Sequence, residues 1–183
     1  LDWFIMSGED YYNRVYDFES DKMKAVYKYL DAFLEAGSEI EFDFGWKISK
    51  AAQSWYSYPC TKPEGSAPVD LVSFVKSCCA LLKELFRRGY DNIKYLTFFN
   101  EPENGDDFMG PFKTIDERGK YFRLMLDYAC AELERQNLLG RLQIWGPEDG
   151  WMPCEIELTN SINYGDDSPI DAITFHRYDI GYE

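Results

Sequence analysis

The sequence predicts an α/β fold built from parallel crossover units, and three observations carry that expectation. Segments of helical and strand-like character alternate in the order helix, strand, helix, strand, helix, strand, short helix, strand. Regular alternation of this kind builds right-handed parallel units. The strand at 93–99 is a near-continuous apolar run, which suits a parallel strand covered by helices on both sides of its sheet. Each strand-like segment also ends in polar or aromatic residues, as expected of barrel strands that feed one rim. A doubly wound sheet and a (β/α)8 barrel both fit the alternation. No glycine-rich phosphate loop follows any strand, which disfavours the nucleotide-binding versions of the doubly wound sheet.

Taken in order, Trp3-Phe4-Ile5-Met6 is compatible with a short strand, and 8–13 reads as an irregular, tyrosine-rich loop. Ser20 then caps a helix over about 21–36, where Met23, Val26, Tyr27, Leu30, Phe33 and Leu34 recur at helical spacing before Gly37 stops it. The segment 39–46 alternates strictly, with Ile40, Phe42 and Phe44 on one face and Glu39, Glu41 and Asp43 on the other. In an open antiparallel sheet the acidic face would meet water. In a closed barrel it would point inward, and the deeper carboxylates would need cationic or hydrogen-bonding partners. The stretch 47–68 reads as a long loop holding Trp55, Tyr56 and Tyr58, and long loops in compact domains are often functional.

A second helix over about 70–88 buries Leu71, Phe74, Val75, Cys78, Leu82, Leu85 and Phe86, with Gly89 beyond its end. After the strand at 93–99, Thr114-Ile115-Asp116-Glu117 is a capping-box sequence. It opens a third helix carrying Phe122, Met125, Leu126, Ala129 and Leu133. Residues 142–145 form a strand that runs into Gly146-Pro147-Glu148-Asp149-Gly150. A short helix at 155–163 and a last strand at 170–175, ending in His176-Arg177-Tyr178, complete the order.

At 183 residues the chain can form one domain with a sizeable core. Its net charge of −14, without a basic tract, argues against nucleic acid or an anionic membrane surface as partner. No apolar run reaches membrane-spanning length. The chain starts at Leu1 and shows no signal-peptide pattern. It therefore reads as truncated at its start, with the compartment open and the cytoplasm slightly favoured. Cys60, Cys78, Cys79, Cys130 and Cys154 form an odd set without metal-type spacing. Cys78, Cys79 and Cys130 fall at apolar helix positions, where reduced cysteine acts as a small hydrophobe. His176 is the single histidine, too little for a zinc site. Neither metal nor cofactor is expected.

The chemistry concentrates at 92–104, NIKYLTFFNEPEN. The apolar strand stops abruptly at Asn100-Glu101-Pro102. Pro102 cannot donate to a ladder, and it biases Glu101 towards extended geometry. An amide and a carboxyl are thus set side by side at the carboxyl end of a buried strand, the end at which parallel α/β folds bind ligands.

FFNEPE on this strand, IWGPE on the next and DAITFHRY on the third resemble glycoside hydrolase clan A, the retaining glycosidases built on (β/α)8 barrels. The GPE turn and HRY ending look most like its family 39 branch, which includes β-xylosidases and α-iduronidases. The likeness runs from about Tyr16 onward. It implies that the Asn-Glu-Pro strand is the fourth, that Glu101 is the catalytic acid/base, and that Asn100 contacts a sugar hydroxyl. The strand ending at His176 and Tyr178 becomes the sixth, with both side chains substrate-facing near the nucleophile; 39–46 becomes the third strand and 142–145 the fifth. The clan's nucleophile, a glutamate ending the seventh strand, has no counterpart here. The expectation is therefore a single incomplete TIM-barrel catalytic domain over 1–183, about strands 3 to 6 with their helices. It would belong to a longer protein and be inactive by itself.

The substrate expected is a carbohydrate, whether oligosaccharide, polysaccharide or glycoside, and oligomeric state is not implied. Trp46 and Trp145 are candidate stacking platforms for sugar rings, because an indole offers an apolar face and an N–H; Trp151 is a weaker candidate. Glu148 sits in an acidic turn on a neighbouring strand and is read as a rim or hydrogen-bonding group. Two other functions fit the same residues. One is a non-catalytic carbohydrate-binding barrel that keeps the rim; the other is a non-glycosidase barrel enzyme using Glu101 for proton transfer.

Overall fold

Four apolar strands and the helices between them fold as a mixed α/β structure around one all-parallel sheet. The computed structural model describes residues 1–44, 50–56, 58, 67–102, 111–150, 152–162 and 168–176. In order these form α1 (Gly8–Asn13), α2 (Asp21–Glu35), β1 (Ile40–Asp43), α3 (Lys50–Tyr56) and α4 (Leu71–Arg87). Then come β2 (Ile93–Thr97), α5 (Ile115–Arg135), a 3-10 turn (Leu139–Arg141), β3 (Gln143–Asp149), α6 (Met152–Ile162) and β4 (Ala172–Phe175). The sheet order is β1-β2-β3-β4. Spatial order follows chain order, so these four strands contain no reversal at which a doubly wound sheet would switch.

Side chains close the helix starts. Ser20 accepts from Met23 N, Asp70 accepts from Val72 N and Ser73 N, and Thr114 and Glu117 complete a reciprocal capping box. Each partner satisfies backbone donors that the helix itself leaves open. Gly37 and Gly89 take positive φ just past α2 and α4, the stop that the sequence predicts.

The core lies between the sheet and α4, α5 and α6, which pack successively on one another. Phe74 stacks on Phe99, and Phe99 meets Phe122, tying α4, the end of β2 and α5 together. On the other face Tyr95 donates to Glu39 at 2.5 Å and stacks on Trp145. Cys78 and Cys79 are buried free thiols in α4, and Cys130 is half-buried in α5. Among the described residues no helix is long and apolar enough to cross a membrane.

Four local expectations are corrected. Residues 3–6 form no strand: a turn covers residues 2–4, with Phe4 N and Ile5 N both bonded to Leu1 O and both side chains buried. Residues 8–13 are helical rather than irregular, because Ser7 caps them and Tyr11 is buried against Tyr56 and Trp55. The expected loop at 47–68 contains α3, anchored by buried Ala52 and Tyr56. β3 also runs further than 142–145. It passes through Pro147 to Asp149 and pairs with β4, with an irregularity between Pro147 and Asp149. Pro147 lacks a donor and Glu148 drops out of the register, and such a bulge re-aims a side chain.

Candidate active site

Each of the four strands contributes a titratable side chain to one cluster: Glu41 from β1, Glu101 beyond the end of β2, Glu148 in β3 and His176 just after β4. Asn100 and Glu101 are both 8% exposed. Glu101 N donates to Glu148 O at 3.0 Å, which fastens the β2 exit to the bulge of β3. Both glutamates hold left-handed backbone, with φ of 49° at Glu101 and 59° at Glu148. Extended geometry, the expectation from Pro102, is thus not what Glu101 adopts, because its amide is turned towards the Glu148 carbonyl.

His176 joins the two carboxyls. Its Nδ1 lies 2.8 Å from Glu101 Oε1 and its Nε2 lies 2.8 Å from Glu148 Oε2. The imidazole therefore sits between two acids that come from different strands. Partial burial pulls its proton affinity down, but the hydrogen bonds and charges of Glu101 and Glu148 outweigh this, and the net shift is upward from 6.5. Glu148 reaches a third group as well. The charge of Glu148 also acts on Glu41. The Glu41 carboxyl is pushed up to about 7 by the partial desolvation of this exposed residue, then by Glu148 and the charge of Asp43, with His176 pulling the other way.

Asn100 offers a different kind of signal. Its Nδ2 is buried and has no hydrogen-bond partner among the described residues. An unmade hydrogen bond of that kind costs about 1–3 kcal/mol, and it occurs on the residue that precedes Glu101 in the chain.

The predicted site residues separate into three groups. Glu101, Glu148 and His176 are brought together, with Asn100 beside them in the chain. Trp145 is not brought into that cluster: its ring stacks on Tyr95 at 3.9 Å and its Nε1 donates to Gln143. Trp46 and Tyr178 lie outside the described residues, as does Trp151. Glu41 is the member that residue patterning did not single out. Its signal was present in the strict alternation of 39–46, whose acidic face required partners if it pointed inward. Among the described residues no three His, Cys, Asp or Glu side chains are arranged to hold a metal ion. The chain matches no protein-family model and none of the curated proteins, so any functional assignment rests on this site.

Proposed function

We propose that this chain carries the acid/base part of a retaining O-glycoside hydrolase, with Glu101 as the general acid/base and a carbohydrate as substrate. The observation that carries the reading is the buried Glu101 carboxyl at the carboxyl end of an inner parallel strand, preceded in the chain by Asn100, whose amide donor lacks a partner among the described residues. Asn100 Nδ2 would donate a hydrogen bond to a sugar hydroxyl there.

The four strands are read as the third to sixth of a (β/α)8 barrel. Three features support this: strand order without reversal, helices that pack successively on one another, and contacts between side chains of non-neighbouring strands. Glu101 reaches His176 from two strands away, and the Glu148 charge acts on Glu41 across the same separation. Strands two apart are separated by about 10 Å, so such contacts suit the concave face of a curled sheet.

In the first chemical step a nucleophile attacks the anomeric carbon while Glu101 gives its proton to the departing oxygen. In the second, the Glu101 carboxylate takes a proton from the attacking water. The nucleophile belongs, on this reading, to a seventh strand, and no residue of this chain is assigned to it. Glu148 does not substitute for it. The His176 ring lies between the Glu148 and Glu101 carboxyls, in the space that a reacting carbon would need.

The test is Glu101→Ala in a protein that also carries the seventh-strand glutamate. A substrate with a poor leaving group should react about 10²–10⁴-fold more slowly, the usual range for a positioned general acid. An activated aryl glycoside should still give a burst, followed by slow turnover that added azide restores. Equal losses on both substrates, with no effect of azide, would overturn the assignment.

A further inference from the structure

We propose that Glu148 is a positioning residue for Glu101: by holding the far nitrogen of His176, it sets whether a shared proton rests on the imidazole or on the Glu101 carboxyl. The functional meaning rests on the reading of Glu101 as acid/base, whereas the geometry stands independently of it.

Each ring nitrogen of His176 is 2.8 Å from a carboxyl oxygen. Every such contact needs one proton, so the three groups hold two protons between them. In one arrangement an imidazolium donates to two carboxylates. In a second, a neutral imidazole donates from Nε2 to Glu148 and accepts at Nδ1 from a protonated Glu101. One proton crossing the Nδ1–Oε1 contact interconverts them: the N–H bond breaks, the O–H bond forms, and the net charge is unchanged. The first form offers Glu101 as a base and the second offers it as an acid, the two states that an acid/base residue must alternate between.

Glu148 also acts on Glu41, whose carboxyl is pushed up to about 7. Among the described residues the groups involved are Glu41 and Asp43 from β1, Glu101 from β2, Glu148 from β3 and His176 after β4. The Glu148 charge favours the imidazolium. Its removal should weaken the hold on the ring proton and move the balance towards protonated Glu101.

Because the chain has one histidine, the imidazole nitrogens give unambiguous NMR signals in the ¹⁵N-labelled 183-residue chain. The ring should titrate above 6.5 in the unsubstituted protein. In Glu148→Gln, which keeps an acceptor for Nε2 but loses the charge, the midpoint should fall by about one pH unit, the low end of the effect of a neighbouring charge. The neutral ring should then be the Nε2–H tautomer. Glu101→Gln should lower the midpoint as well. A midpoint at or below 6.5 without substitution overturns the proposal, and so does one that Glu148→Gln leaves unmoved. Should Glu148→Gln fail to fold, the unsubstituted titration still decides. Failure of azide rescue in Glu101→Ala would remove the glycosidase reading without touching this result.

Discussion

Glu101 and Glu148 both hold φ values that L-residues rarely adopt, 49° and 59°. Left-handed backbone costs roughly 1–2 kcal/mol at a residue bearing a Cβ, and it persists where surrounding contacts over-determine it. Here those contacts are the Glu101 N to Glu148 O bond and the shared imidazole. Truncation to alanine keeps the backbone penalty while losing the side-chain bonds; glycine loses the same bonds and removes the penalty. Glycine variants at either position should therefore be more stable than the alanine variants by about 0.5–1 kcal/mol, after allowing for the greater unfolded-state freedom of glycine. Denaturant titration of the four variants checks this, and alanine equal to glycine would mean that the backbone is not strained there. Asn100 and Glu101 were legible in the sequence because an apolar strand that breaks at Asn-Glu-Pro can only deliver those side chains at its end. The left-handed turn of Glu101 was not legible, since it depends on a carbonyl 47 residues away in the chain. Nor was the stacking of Trp145 on Tyr95, because a half-exposed indole looks the same in sequence whether it meets a neighbour or a ligand.

At the scale of elements, α5 and α6 approach closely at Gly119. A Cβ added there would lie 2.3 Å from Ser161 Cβ and 3.2 Å from Leu158 O. A mid-helix glycine ordinarily sacrifices about 1 kcal/mol relative to alanine, so its presence in α5 is explained by this contact. Gly119→Ala should destabilise the protein by more than 1 kcal/mol despite its better helix propensity, as overpacking does. Ser161→Gly should recover part of the loss by removing the nearest atom. A double-mutant cycle by thermal unfolding measures that coupling, and additive effects would contradict the contact. Elements with strong caps or long periodicity were readable in advance: Ser20 before α2 and the capping box before α5 lie where expected. The six-residue α1 and seven-residue α3 span too few turns to show a period. The continuation of β3 past Pro147 was hidden because proline ordinarily ends a ladder, whereas here the bulge accommodates it.

For the whole molecule, the titrating groups divide into two sets that favour opposite ends of the pH scale. Glu41 binds its proton more tightly when folded, at about 7 against an ordinary 4.5, so its contribution falls as pH rises through that window. His176 is also raised, from 6.5, so its contribution is complete below 6.5 and is lost as pH climbs through the folded value. Glu84 and Glu132 run the other way. Side-chain bonds from Arg87 and Arg135 respectively lead in lowering their carboxyls below 4.5, so their contributions are present above that value and lost on acidification. The net charge of −14 adds repulsion as the last carboxyls ionise. Linkage then places the stability maximum at about pH 5, with a decline towards pH 8. Glu41→Gln cannot ionise, so it should flatten the decline between about pH 5 and 7 while leaving the acid limb to Glu84, Glu117 and Glu132. Thermal unfolding from pH 4 to 8 measures both limbs. A melting temperature that rises steadily to pH 8, or an unchanged slope in Glu41→Gln, would show that Glu41 does not govern the alkaline limb.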